Sequence, residues 1–325
     1  MARAAKAMPA ALATFPPALR DRVVVVDDFL PAELAEAMRR EIDSHFAEPQ
    51  THTADRHQVW NYWFVPALYA YLRTAPERVI AKPSMDAFHE RLRGWSINTM
   101  GLGAATLPYL SLYVSGCREA LHNDALNGRF DYVYSLTRNE RATIGGSTIV
   151  HREGDPSRSH MTSAGAGATF FDAVEPRFNR LIVFDDRLPH AVERVDGSMD
   201  PREGRFVLHG HLSESGPIAA GALSPEQVIP VVGQGVHGFA ESTFIDGYHG
   251  ALTLRLDIRP DGVVAGCRLL LDRVLSADPA DRRWPRVLHE LIGRFSALRF
   301  PAAAGPTVLV VPLAFGAHVR PPAAS

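Results

Sequence analysis

The sequence predicts a mainly β, α+β fold: an antiparallel jelly-roll core with flanking helices, followed by a small C-terminal ββαβ domain. From Leu107 to Leu212, short apolar or alternating segments are separated by Gly, Asp, Asn and Pro. Before Leu107 the apolar residues repeat mostly with the period of a helix, and after residue 235 strand patterns return around one amphipathic helix. Strands at this spacing are typical of a sandwich or jelly roll, which leaves a cavity between its sheets.

The length of 325 residues predicts one large core and a smaller appendage. We expect a disordered leader over residues 1–21, the large β domain over 22–212 and a Gly-, Pro- and Ala-rich linker over 213–235. The last part, 236–318, is expected to form a small α+β domain for recognition or dimerisation.

Charge and composition exclude several classes of partner. The net charge of -2 gives no general attraction to nucleic acid or to anionic membranes. No apolar run approaches the ~20 residues that span a bilayer. Cys117 and Cys267 lie far apart in sequence and indicate no disulfide framework, so we expect a reducing, cytoplasmic setting.

The N-terminal elements are predicted to support the sheet. The β-branched run in Arg22–Leu30 predicts a buried strand. Proline at the start of 31–42 and apolar residues four apart predict a helix, and a second helix is expected over Ser84–Trp95.

An aromatic cluster lies between Gln58 and Tyr71, and two interpretations of it stay open. Its Trp and Tyr side chains could form a wall of a substrate groove, because they offer large, rigid contact areas. They could equally pack as the core of an N-terminal cap, since buried aromatic residues are common.

Six short strands are predicted in the β region. They are Tyr109–Tyr113, Arg129–Ser135, Ser147–Val150, Gly167–Phe171, Arg180–Phe184 and Gly204–His211.

The stretch Tyr113–Asp124 carries the most informative residues. In a strand, His122 and Asp124 project from the same face, so both can reach one metal ion. His190 follows a later apolar strand and supplies a second imidazole. Two histidines and one carboxylate form the facial triad that holds Fe(II) with open positions for a co-substrate and O2. Arg205, on the following strand, can bind the far carboxylate of that co-substrate.

Together these motifs resemble the Fe(II)/2-oxoglutarate-dependent dioxygenases of the prolyl 4-hydroxylase type, over roughly Arg22 to Leu212. The matching positions are Tyr113, Gly116, His122, Asp124, Gly145–Thr148, Asn179–Phe184, His190, Val192 and Val195. The resemblance implies a double-stranded β-helix core.

The resemblance also implies a site and a reaction. His122, Asp124 and His190 would bind Fe(II) as the catalytic centre, with 2-oxoglutarate and O2 as co-substrates. Arg205 would pair with the distal carboxylate of 2-oxoglutarate, and Tyr113 would hydrogen-bond it.

This chain departs from the family pattern in two places. Glu119 stands where the family commonly has an aromatic residue. Fifteen residues separate His190 from Arg205, longer than usual, so Arg202 is a rival for the 2-oxoglutarate role. His209 and His211 are alternative metal ligands, and we expect one of them to point into the pocket and one out.

The C-terminal part is predicted as two strands, a helix and a strand. Their bounds are Gly250–Arg259, Val263–Leu271, Arg286–Leu298 and Thr307–Phe315. This order weakly resembles the C-terminal domain of TonB-like energy transducers. Because we expect no N-terminal membrane anchor from this sequence, we predict a recognition or homodimerisation domain that could bind a peptide at a sheet edge.

The expected activity is hydroxylation of a Pro-, Asp- or Asn-type side chain in a peptide or protein, with release of succinate and CO2. Asp124 favours hydroxylation, because halogenases of the family lack this carboxylate. The alternatives are a hydroxylase of a free amino acid or small metabolite, and a non-catalytic jelly-roll sensor or binding protein.

Overall fold

The computed structural model describes residues 19–316, except 48–52, 54–58, 126, 153–169, 243–244, 246 and 279. The chain divides into two compact units. The first unit comprises Arg22–Arg93 and Ala105–Ser213, and the second comprises the described residues of 1–21, 94–104 and 214–325.

The chain up to Ser213 contains two α-helices, two 3-10 helices and fourteen strands in its described part. The helices are α1 Ala32–Phe46, α2 Lys82–Met100 and the 3-10 turns Pro76–Arg78 and Pro201–Glu203. The strands are β1 Val23–Val26, β2 Asn61–Val65, β3 Tyr69–Thr74, β4 Ala104–Ala105, β5 Tyr109–Tyr113, β6 Arg118–His122, β7 Phe130–Ser135, β8 Thr143–Ile144, β9 Thr148–His151, β10 Phe171–Val174, β11 Arg180–Asp185, β12 His190–Val192, β13 Asp196–Gly197 and β14 Arg205–Ser213.

The first unit is a curled antiparallel sheet with the strand order β1-β11-β7-β14-β5-β3-β6-β12-β9-β10. Strand β3 joins two halves, because it pairs with β5 through Leu72–Thr74 and with β6 through Tyr69 and Ala70. One half therefore contains β1, β11, β7, β14 and β5, and the other contains β6, β12, β9 and β10. The predicted fold class, a jelly roll with flanking helices, is confirmed.

Alternation along the strands separates a cavity face from a helix-packing face. On β14, Phe206 and Leu208 are buried, and Phe206 packs against Phe46 of α1 with 6.1 Å between ring centroids. Phe88 of α2 packs likewise on Tyr134 of β7, at 5.1 Å. The helices therefore cover the outer face of the first half, and the opposite residues of the same strands face the cavity.

Several element bounds differ from the predicted ones. Strand β1 ends at Val26 instead of Leu30, and Asp28 has a φ of 51°, which breaks the extended conformation. Helices α1 and α2 extend beyond the predicted 31–42 and 84–95. Most of the strand predicted over Gly167–Phe171 falls outside the described residues, and the observed strand β10 begins at Phe171.

The second unit contains a four-stranded antiparallel sheet and two helices. Its elements after Ser213 are β15 Ile218–Gly221, α3 Pro225–Ser242, β16 Tyr248–Ile258, β17 Val264–Ser276, α4 Trp284–Ser296 and β18 Thr307–Phe315, with the sheet order β15-β18-β16-β17. Val287, Leu291 and Phe295 of α4 are buried in its core, as their helical spacing predicts.

The segment predicted as a linker, 213–235, has regular structure. It contains β15 and the first half of α3. Pro230 and the glycines of α3 disfavour a helix in isolation. Val228, Val232 and Phe239, however, are buried against the sheet and stabilise it.

Residues 1–18 of the predicted leader lie outside the described part of the chain. Leu19, the next residue, forms a parallel bridge with Leu271 at the edge of β17. No helix in the described part of the chain is long and apolar enough to cross a membrane.

Candidate active site

A cavity of about 520 Å³ lies between the two halves of the jelly roll. One wall carries alternate residues of β14 and β5, and the other carries residues of β6, β12 and β9. Its lining includes Trp63, Tyr69, Tyr71, Arg73, Tyr109, Tyr113, Glu119, His122, Asp124, Asp131, Thr148, His190, Arg205, His209 and His211. The predicted site residues therefore share one cavity.

His122, Asp124 and His190 converge in this cavity, and their candidate ligand atoms lie within 4.8 Å of one another. The antiparallel pairing of β12 with β6 sets His190 opposite His122, and their ring centroids are 4.3 Å apart. Asp124 Oδ2 lies 4.0 Å from His122 Nε2 and 3.8 Å from His190 Nε2.

Backbone hydrogen bonds set the orientation of both imidazoles. The Nδ1 atom of His122 lies 2.7 Å from the carbonyl oxygen of Ala120, and that of His190 lies 3.0 Å from the carbonyl oxygen of Leu188. A carbonyl only accepts, so each Nδ1 carries the proton in these bonds and each neutral Nε2 keeps its lone pair. Both lone pairs are thus available to a metal ion.

Arg205 is 2% exposed and lines the cavity. Its Nη2 donates to Thr148 Oγ1 at 3.1 Å, and its guanidinium carbon lies 4.7 Å from the centroid of the Tyr113 ring. Nε and Nη1 have no hydrogen-bond partner. Buried donors without partners are costly, and burial also lowers the pKa of Arg205, so the site fits an anion that would satisfy them.

Glu119, the departure from the family pattern, contacts both Tyr113 and His122. It accepts a hydrogen bond from the Tyr113 hydroxyl at 3.1 Å, and its Oε1 lies 3.7 Å from His122 Nε2. Burial and the neighbouring Glu119 raise the pKa of Tyr113, so its hydroxyl stays protonated. Tyr113 is therefore placed near Arg205 but donates to a carboxylate of the chain itself.

A second acid–histidine pair borders the triad. Asp131 is buried, and its Oδ1 lies 2.5 Å from His211 Nδ1, while its Oδ2 lies 3.7 Å from His190 Nε2. Asp131 and His211 also form, with Asp124, a second group whose possible ligand atoms lie within 4.8 Å of one another.

The alternative candidates for the 2-oxoglutarate and metal sites lie in different environments. Arg202 is half-exposed and pairs with Asp200 at 2.8 Å, outside the cavity lining. The expectation that His209 and His211 point in opposite directions is wrong, because residues two apart on β14 share a face and both line the cavity. Burial lowers the pKa of His209 to about 3, with smaller effects from nearby cations, and its Nε2 lies 2.8 Å from Ser111 Oγ.

Some residues of the aromatic cluster line the cavity and others pack against a helix, so each of the two interpretations from the sequence holds for part of the cluster. Trp63, Tyr69 and Tyr71 line the cavity, and the Tyr69 ring meets His122 edge-on at 5.4 Å between centroids. Trp60 instead packs against Phe46, at 5.7 Å between centroids.

Comparison with known proteins returns solved structures only. No family model and no curated protein matches the chain. A prolyl hydroxylase from Trichoplax adhaerens, in complex with a hypoxia-inducible-factor oxygen-degradation-domain peptide, has 15% identity and a TM-score of 0.39 over 58% of this chain and 82% of its own. A prolyl-4-hydroxylase from Pseudomonas putida has 17% identity and a TM-score of 0.42 over 60% and 94%.

A third solved structure is SnoN, a non-heme α-ketoglutarate-dependent epimerase from nogalamycin biosynthesis. It has 16% identity and a TM-score of 0.42 over 63% of this chain and 82% of its own. These similarities are low, so the fold assignment rests on the strand order and the function on the residues of the cavity. The TonB-like resemblance of the C-terminal part finds no support among these comparisons.

Three cavity residues had no role assigned from sequence. Thr148 lies in the Gly-Gly-x-Thr motif, but its contact with Arg205 depends on the path of β14. Asp131 lies inside the predicted strand Arg129–Ser135, where alternation was the available signal for its side of the sheet. Arg73 lies outside the predicted strands, although the structure places it on β3, so no sequence pattern signalled its position.

Proposed function

We propose that the chain is an Fe(II)- and 2-oxoglutarate-dependent dioxygenase that hydroxylates an amino-acid side chain in a peptide or protein. The observation that carries the proposal is the convergence of His122, Asp124 and His190 in the cavity that also holds Arg205, whose two buried donors lack partners. Two imidazoles and one carboxylate are the donor set that suits Fe(II) with open coordination positions.

The residues of the chain prepare this centre in two ways. The carbonyls of Ala120 and Leu188 hold the imidazoles with Nε2 directed at the metal position. Asp124 supplies the anionic ligand. Bound Fe(II), with 2-oxoglutarate and O2, would supply the oxidising power to hydroxylate an unactivated C–H bond, releasing succinate and CO2.

Arg205 is proposed to bind the distal carboxylate of 2-oxoglutarate. Thr148 fixes the guanidinium through Nη2 and leaves Nε and Nη1 available for a charge-assisted pair. Arg205 is almost fully buried, so this pair would form away from bulk water, where electrostatic attraction is strongest.

A peptide or protein substrate is proposed because the cavity opens beside the β2–β3 hairpin, whose β2 strand is exposed along its whole length. Trp63, at the cavity, is 38% exposed. Large aromatic surface of this kind is common where proteins bind peptides. We also propose a cytoplasmic setting, which suits the two free cysteines, and a homodimer formed through the C-terminal unit.

The experiment is a 2-oxoglutarate turnover assay with peptides that contain Pro, Asp or Asn, followed by mass spectrometry. We expect succinate release coupled to a gain of one oxygen on one class of peptide. Free amino acids in parallel reactions test the small-molecule alternative. Turnover with the free amino acid alone would refute the peptide assignment, and absence of any 2-oxoglutarate consumption would refute the enzyme.

A further inference from the structure

Arg73 lies on the cavity side of β3, in a setting that the proposed reaction does not explain. Its guanidinium carbon is 3.7 Å from the centroid of the Trp63 ring and 3.9 Å from that of the Tyr109 ring. These rings come from β2 and β5, the two strands that pair with β3 along this stretch. Trp63 and Tyr109 are 38% and 47% exposed, so Arg73 lies near the mouth of the cavity.

Stacking of this kind holds a guanidinium in place and leaves its in-plane N–H groups free to bind an anion. In the part of the chain that the structure describes, no carboxylate forms an ion pair with Arg73. The carboxylates of the cavity have other neighbours: Glu119 accepts from Tyr113, and Asp131 meets His211. The positive charge of Arg73 is therefore not balanced by a described side chain.

Two hydrogen-bonding side chains beside Arg73, those of Tyr71 and His209, are neutral. Burial raises the pKa of Tyr71 above its ordinary range, and the Glu119 carboxylate adds to this shift, so the hydroxyl is neutral. Arg73 opposes the shift through its charge and a side-chain hydrogen bond with Tyr71. His209 is also neutral near pH 7, because burial and then the positive charge of Arg73 lower its pKa. An anion bound at Arg73 would consequently contact the guanidinium next to the neutral side chains of Tyr71 and His209.

Arg73 and Arg205 occupy separate places in the cavity. They lie on strands on either side of β5, with Arg73 opposite Ser111 and Arg205 opposite Tyr113. In a regular sheet this offset separates their Cα atoms by about 12 Å. One arginine can therefore bind the co-substrate while the other binds a different molecule.

We propose that Arg73 binds a carboxylate of the substrate, so that the preferred substrate is an acidic peptide. This inference rests on the proposed function, because it assigns Arg205 to 2-oxoglutarate. The acidic group would enter at the cavity mouth and contact the guanidinium edge, while the carbon to be oxidised extends toward His122 and His190. Arg73 is thereby a specificity-determining residue, and the metal site carries the chemistry.

The test uses the full chain loaded with Zn(II) and 2-oxoglutarate, so that binding is measured without turnover. The probes are synthetic peptides made in pairs that differ only by Asp against Asn or Glu against Gln, measured by calorimetry. We expect at least one acidic peptide to bind about tenfold or more tightly than its amide partner. Arg73→Gln should remove this preference and leave the affinity for the amide peptide unchanged.

Two further variants separate recognition from a structural role of the stacked guanidinium. Arg73→Lys keeps the charge and should retain part of the preference for the acidic peptide. If Arg73 had only a structural role, Arg73→Lys and Arg73→Gln would weaken the binding of both peptides equally. Arg118→Gln removes an exposed arginine of β6 outside the cavity lining and should change neither affinity. Equal binding of acid and amide peptides to the wild-type chain, or a preference that survives in Arg73→Gln, would overturn the proposal.

Substrate-free consumption of 2-oxoglutarate distinguishes this failure from failure of the proposed function. That slow reaction depends on the metal ligands and Arg205, so it is measured in the wild-type chain and in Arg118→Gln, where it should be the same. If it is present while the acid preference is absent, only the role of Arg73 is wrong. If 2-oxoglutarate neither binds nor is consumed, the dioxygenase function itself is wrong.

Discussion

Replacing Arg205 by Met should weaken 2-oxoglutarate binding without weakening the ligand-free fold. The buried guanidinium has two donors without partners, each of which costs about 1–3 kcal/mol in the absence of an anion. Methionine removes this cost while filling much of the same volume. It also removes the hydrogen bond to Thr148, worth about 0.5–1.5 kcal/mol, and the contact with the Tyr113 ring, worth about 0.5–2 kcal/mol.

The cost that methionine removes and the contacts that it loses nearly cancel, or their balance stabilises the Arg205→Met variant. We therefore expect the free energy of unfolding of ligand-free Arg205→Met to equal that of the wild-type chain or to exceed it by up to about 3 kcal/mol. Binding should respond in the opposite direction, because loss of one partner of a buried charged pair costs about 2–5 kcal/mol. This corresponds to a Kd for 2-oxoglutarate raised at least ~30-fold.

Calorimetry with Zn(II)-loaded protein measures the affinity, and urea unfolding without metal or 2-oxoglutarate measures the stability. Arg202→Met is the matched control, because Arg202 is half-exposed and pairs with Asp200 outside the cavity. It should leave the affinity unchanged. A loss of more than about 2 kcal/mol of ligand-free stability in Arg205→Met, with unchanged affinity, would show that Arg205 is structural and would refute the reasoning.

Three other substitutions test neighbouring parts of the site. Thr148→Val leaves a further donor of Arg205 without a partner, so the free energy of unfolding in urea should fall by about 1–2 kcal/mol and the KM for 2-oxoglutarate should rise severalfold. If both values are unchanged, the hydrogen bond is unimportant. Glu119→Gln removes a negative charge beside the proposed site of 2-oxoglutarate, which is a dianion, so the Kd for 2-oxoglutarate should fall about fivefold, most clearly at low salt. Weaker binding of 2-oxoglutarate would contradict this role of Glu119. His209 has a depressed pKa, so its contribution to stability is present above about pH 6.5 and is lost as pH falls toward 3. His209→Gln should therefore reduce the loss of stability between pH 7 and 4 by about 2 kcal/mol, and an unchanged loss would contradict this role.

Strand alternation, combined with the family resemblance, was the basis for predicting much of the candidate site. Residues two apart at the end of a strand share a face, which placed His122 and Asp124 together, and an apolar strand before a polar residue placed His190. These are local patterns, and the jelly roll that they predict is the fold observed. The contact of Thr148 with Arg205 is not local, because it joins residues 57 positions apart through the closure of the two sheet halves.

Long-range packing also explains what the sequence did not predict. Helix α3 contains Pro230 and several glycines, so composition indicated a linker, but burial of Val228 and Val232 stabilises the helix. The stacking of Arg73 depends on which strands pair with β3, and an isolated arginine in a β segment carries no signal of that pairing. Residues on a local period were predictable, whereas those defined by strand neighbours were not.

The central claim is that His122, Asp124 and His190 form an Fe(II) site at which 2-oxoglutarate binds. Anaerobic addition of Fe(II) and then 2-oxoglutarate, followed by visible absorption, tests it most directly. We predict a charge-transfer band that requires both additions, that is lost in Asp124→Asn and that persists when exposed His289 is replaced by Gln. A metal-loaded protein that binds 2-oxoglutarate without this band, or a band that survives in Asp124→Asn, would contradict it.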